Sequence, residues 1–195
     1  MARNLTPSGA RPGAGDTVVR VHFWSALVAG PFVLVLALSG VALVFAPEID
    51  AATRPPGALP QRSLVPPIRS LHASLHGGAT GAAVVGLLGI ALIAEGVTGV
   101  WLYGRSAARR PALHRLHRAL GAASLAFVAL IGLTGTTLAF AAIVVSEPSS
   151  GVYDLIRRLH AGDFLGWPSR IVYAAAGTAS AVLSITGYVL VARRG

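Results

Sequence analysis

The chain has 195 residues, of which 54% are hydrophobic and only 12% charged, a balance too apolar for a soluble domain of this size. It has no cysteine, which excludes disulfides, thiolate-held iron–sulfur or zinc sites and covalently attached c-type haem. The net charge of +9 rests on sixteen basic residues, all Arg, that mostly flank apolar blocks; this distribution predicts a lipid bilayer as partner and no nucleic acid.

Residues 1–19 form a polar tail containing Gly, Pro and Ala, expected to be loose. Trp24 to Ala46 carry no charge, and a first membrane helix is predicted over 21–46, kinked at Gly30-Pro31. The block exceeds the ~7–15 residues of a secretory signal core, and Ala46-Pro47 is a poor cleavage junction. Six prolines between Pro47 and Pro67 predict an extended outer loop rather than a domain. Ile68 to His76 suits a short helical turn at the membrane surface. The second predicted span, 77–104, contains a single charge, Glu95. An intramembrane carboxylate is costly and therefore a functional candidate. Glu95 either takes protons from a quinol or pairs with a nearby Arg or His.

A basic segment with Arg105, Arg109, Arg110, Arg115 and Arg118 leads into the third span, 112–146. Glu147 to Trp167 then includes a plausible interfacial helix, VYDLIRRLH, and the fourth span covers 168–192. Each apolar block is long enough to cross a hydrocarbon core of about 30 Å. Continuous apolar runs exclude the alternation of a membrane barrel. Arg3, Arg11, Arg20, the middle segment, Arg193 and Arg194 place both termini and the middle loop in the cytoplasm by the positive-inside rule. The other two loops dilute their Arg with Glu48, Asp50, Glu147, Asp154 and Asp163.

The chain repeats itself. Arg20-Val21-His22 matches Arg115-Leu116-His117, Ser39-Gly40 matches Thr134-Gly135, and Phe45 matches Phe140, all 95 residues apart. Leu75-His76 resembles Leu159-His160 and Thr98-Gly99 resembles Thr186-Gly187, with spacings that differ by four residues. The expected fold is all-α: an integral membrane four-helix bundle over 20–195, made of two repeated two-helix units related by an axis near the membrane normal.

The six histidines, His22, His72, His76, His114, His117 and His160, lie at helix ends and none lies mid-membrane. Equivalent positions give an inner pair, His22 with His117, and an outer pair, His76 with His160. Two facing imidazoles are what a six-coordinate haem iron requires. His72 lies four residues before His76, and His114 three before His117, so each couple shares a helix face. One member is then the ligand and the other holds a propionate or is idle; the spacing leaves the choice open. Gly40 and Gly135 follow His22 and His117 by eighteen residues, about 27 Å along a helix, and reach the outer level. Gly99 and Gly187 reach the inner level. Glycine at these steps would make room for a flat macrocycle, or serve only helix packing.

The segments RVHFWSALVAG…LSG, SLHASLHGG…VTGVWLYGR, RLHRALG…LTG and RLHAG…ITGYVLVARR resemble the PepSY-associated transmembrane helix family over Arg20 to Arg194. The resemblance implies an inner-membrane protein with two b-type haems, and several such proteins are linked to ferric-siderophore reduction. Many members carry a periplasmic PepSY domain between the first two helices, where this chain has its proline-rich loop. Others carry a C-terminal flavin reductase module, and here the sequence given ends at Gly195. Ser39 stands where the pattern prefers Thr.

The expectation is therefore a multi-pass protein of the bacterial inner membrane that passes electrons through two haem b groups to a periplasmic acceptor, a ferric siderophore by resemblance. Gly81 to Gly86 lies in a membrane helix and is no dinucleotide fingerprint, so the donor would be a quinol or a separate reductase. Arg157 and Arg158 would meet propionates or an anionic substrate, or form a solvated face. The rival classes are a metal-binding or transport protein, with His72, His76 and His160 as an outer divalent site, and a non-catalytic subunit of a larger membrane complex.

Overall fold

The computed structural model describes residues 13–53, 63–104, 111–145 and 151–193. Residues 1–12 of the tail, most of the proline-rich loop with Arg54 and Arg62, and Arg105, Arg109, Arg110, Glu147 and Arg194 lie outside the described residues. The described residues form seven helices and no strand: α1 (Ala14–Val44), α2 (Ala46–Thr53), α3 (Val65–Ser74), α4 (Gly78–Gly104), α5 (Ala112–Val144), α6 (Gly151–Ala161) and α7 (Trp167–Ala192). Four of them, α1, α4, α5 and α7, are long and apolar enough to cross a membrane.

Two boundaries differ from the sequence expectation. The first helix begins at Ala14 rather than near Val21, so the last part of the expected tail is its first turns. The loop after it opens with α2 instead of extended chain. Arg170 of α7 holds that turn in place. Its guanidinium forks onto the Glu48 carboxylate, with Nη1 2.9 Å from Oε1, and its Nε donates to the Val44 carbonyl at 2.9 Å. That carbonyl is one of those the end of α1 leaves without an intrahelical donor. Arg170 also stacks over Trp167, 4.5 Å from the ring centroid. The two expected surface helices are present as α3 and α6.

The spans form a ring in the order α1, α4, α5, α7, with α7 closing on α1. α3 leans on α1 and α4, and α6 on α5. Large apolar side chains such as Val28, Phe32, Leu87 and Ile171 face outward, as expected where lipid is the solvent. The interior is built from small residues, and no large side chain is fully buried among the described residues.

The close crossings obey the repeat. On α5, a Cβ at Gly132 would stand 2.7 Å from Ile93 Cγ1 and 3.1 Å from the Gly89 carbonyl oxygen of α4. On α7, a Cβ at Gly177 would stand 2.7 Å from Val41 Cγ2 of α1. Gly89 and Gly177 are related by 88 residues, and Thr136 and Val41, which they meet, by 95. The two halves therefore correspond crossing for crossing, α1 with α5 and α4 with α7.

α1 runs through Pro31 without interruption. Proline has no N–H to give the carbonyl four residues back, that of Leu27. The hydroxyl of Tyr188 on α7 donates to that carbonyl instead. Gly30 makes the approach possible, because a Cβ there would lie 2.8 Å from the Tyr188 ring. In lipid, where no water satisfies a freed carbonyl, this contact is what the Gly30-Pro31 pair requires.

Candidate functional site: four imidazoles on four hydroxyl–glycine steps

Each span contains a Ser/Thr-Gly step that meets a histidine: Ser39-Gly40 on α1, Thr98-Gly99 on α4, Thr134-Gly135 on α5 and Thr186-Gly187 on α7. In each, the hydroxyl sits over the carbonyl four residues earlier. Ser39 reaches Val35 O at 2.8 Å, Thr98 reaches Ala94 O at 2.8 Å, Thr134 reaches Leu130 O at 2.6 Å and Thr186 reaches Val182 O at 2.8 Å. A carbonyl only accepts, so the hydroxyl proton is committed there. The oxygen lone pair that remains faces a histidine of another helix. Nδ1 of His72 lies 3.1 Å from Ser39, that of His22 2.8 Å from Thr98, that of His160 3.0 Å from Thr134 and that of His117 2.8 Å from Thr186.

With the hydroxyl proton on the carbonyl, Nδ1 carries a hydrogen and donates it to the hydroxyl oxygen. In a neutral ring held this way Nε2 keeps a free lone pair, the form a metal ligand needs.

The glycines do something the sequence reading did not foresee. The expectation gave them room for a macrocycle. Instead each seats an imidazole: a Cβ would lie 3.0 Å from His72 Cε1 at Gly40 and 3.0 Å from His160 Cε1 at Gly135. At Gly99 and Gly187 the corresponding distance to His22 and His117 is 3.6 Å. The step thus supplies an acceptor and, one residue on, the gap into which the ring leans.

The structure also chooses within the histidine couples. His72, not His76, faces His160, with ring centroids 6.0 Å apart and planes tilted by 45°. Leu75 and His76 have φ of 49° and 59°, in the left-handed region that ends α3. The turn points His76 outward, where it is exposed and lies 3.0 Å from its own neighbour Ser70. Of the couple that the spacing left open, it is His72 that the structure brings to His160. His117, not His114, stands on the α7 step, although both line the same cavity.

That cavity, of about 510 Å³, lies between all four spans and is lined by His22, His117, Gly99, Gly187, Glu95 and His114 among others. Its size falls within the range of cofactor pockets. Glu95 touches two groups there: its Oε2 lies 2.9 Å from His22 Nδ1, and Ser25 donates to its Oε1. Arg118, beside the cavity, donates to the Tyr103 carbonyl at 2.9 Å and covers the Tyr103 ring. Arg157 is exposed on α6 and lies 3.7 Å from Asp154.

Burial holds the His72 imidazole below its ordinary pKa, partly offset by its hydrogen bond to the Leu36 carbonyl. Burial, and then the neighbouring His72, push His160 down to about 4. Both rings are therefore neutral at neutral pH, as metal ligation requires.

A bundle of this length with a histidine on each of four repeated hydroxyl–glycine steps can be compared with known families. The family described as the PepSY-associated TM region matches residues 19–68, 60–151 and 144–194. The chain belongs to the PepSY-associated TM region family. No curated protein and no solved structure matches it. In this member the family region is a multi-pass membrane bundle, and all four steps with their histidines fall inside the matched segments.

Proposed function

We propose that the protein is a di-haem cytochrome b of the bacterial inner membrane. It conducts electrons from a cytoplasmic-side donor to a ferric chelate at the periplasmic face, a ferric siderophore by family resemblance. The observation that carries this reading is the fourfold device described above: a back-bonded hydroxyl, an imidazole Nδ1–H donated to it, and an uncommitted Nε2, twice at each of two levels. Lone interfacial histidines have no reason to share one tautomer and one seat four times.

The residues fit the group. The rings of His72 and His160 stand 6.0 Å apart, centroid to centroid, with both Nδ1 atoms turned to their steps, so each would have Nε2 left for a metal. At the other level, His22 and His117 line a cavity of cofactor size. The steps place the two levels about 27 Å apart along α1, from His22 to Gly40 at about 1.5 Å per residue.

A haem b held at each pair supplies a one-electron carrier. The chain's own residues do the rest. His22 with His117, and His72 with His160, would hold the two groups, each between a pair of imidazoles. Ser39, Thr98, Thr134 and Thr186 fix their tautomers. The arginine distribution supports cytoplasmic termini, with His22 and His117 at the inner level. His160 would then lie at the outer level on α6, beside the exposed Arg157 and Arg158, which suit an anionic chelate. The donor is a quinol or a separate reductase, since the sequence has no nucleotide motif. A divalent site of three histidines is less well supported. No three metal-ligating side chains converge among the described residues, and His76 turns away.

The test is directional electron flow. In oriented vesicles, protein reduced from the inside should be reoxidised by ferric siderophore added outside, followed by stopped-flow absorbance. His160→Ala should abolish reoxidation while the inner level stays reducible. Unchanged reoxidation in that variant, or none in the wild type with any ferric chelate, counts against the reductase reading.

A further inference from the structure

The symmetry between the halves breaks at one chemically significant point. On the 95-residue offset that relates α1 to α5, Ser25 corresponds to Leu120. On the 88-residue offset that relates α4 to α7, Glu95 corresponds to Leu183. His117 therefore meets two uncharged acceptors, the Thr186 hydroxyl and the Leu183 carbonyl, whereas His22 meets a hydroxyl and a carboxylate.

The carboxylate is held rather than loose. Glu95 Oε2 is 2.9 Å from His22 Nδ1, with side chains 25% exposed for His22 and 18% for Glu95. Ser25 fixes the other oxygen. Thr98, the second neighbour of Nδ1, has committed its proton to Ala94. The only hydrogen available between His22 and its two acceptors is thus Nδ1–H, shared by Thr98 and Glu95. Both Glu95 oxygens are engaged, which leaves no free one for a substrate.

We propose that Glu95 is a positioning residue for His22: it accepts the Nδ1–H and makes this imidazole a stronger donor than the other three. The group held by His22 and His117 then has a lower reduction potential than the group held by His72 and His160. A carboxylate behind a ligating imidazole raises its basicity and favours the more oxidised, more positive metal. Electrons run from low to high potential. The asymmetry therefore biases flow from the His22 level toward the His72 level, the direction proposed above. This inference rests on the haem reading and deepens it.

The test is a spectroelectrochemical titration of the purified, haem-loaded wild type and of Glu95→Gln, with haem content and the paramagnetic resonance spectrum of the oxidised protein recorded beside it. The wild type should show two separated potentials. Glu95→Gln should keep both haems and raise only the lower potential. The rise should equal a change of about tenfold in the oxidised-to-reduced ratio at fixed ambient potential, or about 59 mV for a one-electron couple. The low-spin signal of that haem should shift with it. If Glu95→Gln does not assemble, Ser25→Ala carries the test. Without the Ser25 proton, more of the carboxylate's charge is left for His22, so the same potential should fall. Two haems with potentials unmoved by Glu95→Gln, or a rise in Ser25→Ala, overturns this inference and leaves the haem reading standing. A wild type that binds no haem overturns both.

Discussion

Removing a single hydroxyl proton acceptor should separate the two histidines of the His72–His160 pair. His160 Nδ1 contacts Thr134 at 3.0 Å, whereas His72 Nδ1 has both Ser39 at 3.1 Å and the Leu36 carbonyl at 3.0 Å. Thr134→Val keeps the shape of the side chain and deletes the acceptor. The His160 N–H is then buried without a partner, which costs about 1–3 kcal/mol. The ring can escape that cost by moving its proton to Nε2, which blocks the ligating nitrogen. Loss of such a partner behind a metal-bound imidazole typically weakens binding by about 10–100-fold. Ser39→Ala leaves His72 the Leu36 carbonyl and should cost clearly less. Haem titration of the two variants, followed at the Soret band, measures the difference. If Thr134→Val binds as tightly as wild type, or Ser39→Ala loses as much, the hydroxyls do not set the tautomers and the reasoning fails.

Three further outcomes follow from the geometry. The haem-free protein should lose stability as pH falls from about 6.5 toward about 4. In that window the unfolded His160 binds a proton that the folded one, with its pKa pushed down to about 4, does not; thermal unfolding should show a shallower fall in His160→Ala, the remainder coming from His72, which burial also holds low, and an unchanged slope there would contradict it. Tyr188→Phe removes the donor to the Leu27 carbonyl that Pro31 leaves free, and should lower unfolding free energy by about 1–3 kcal/mol, whereas Pro31→Ala in the same background should recover most of it. Gly132→Leu should disrupt the α4–α5 crossing, where even a Cβ would lie 2.7 Å from Ile93 Cγ1; a monodisperse variant with wild-type melting would show that the crossing is looser than described.

The four spans were legible because a bilayer demands about 20 apolar residues in a row, and nothing else in a chain of this size does. The Ser/Thr-Gly steps were legible as a recurrence, but their use was not. Periodicity along one helix does not reveal that α3 and α6 fold back and lay a histidine against the glycine of another. The spacing left His72 and His76 open, although a longer match in the chain favours His72. Ile68-Arg69-Ser70-Leu71-His72-Ala73 matches Ile156-Arg157-Arg158-Leu159-His160-Ala161 at 88 residues, the same offset as Thr98 and Thr186. Aligning His76 instead requires a four-residue slip that the chain does not contain. Glu95 was visible as the one intramembrane charge, and its pairing with a histidine was among the roles expected for it. Its engagement of both Ser25 and His22 depends on the crossing of α1 and α4, which no local pattern encodes.

The central claim is that two imidazole pairs each hold a haem, and counting haem tests it most directly. The purified protein should carry two non-covalent b-type haems per chain with low-spin, six-coordinate spectra. His72→Ala and His160→Ala should each remove one of them, His22→Ala and His117→Ala the other, and His76→Ala neither. A chain that takes up no haem, or one whose haem content survives all four ligand substitutions, would contradict the account.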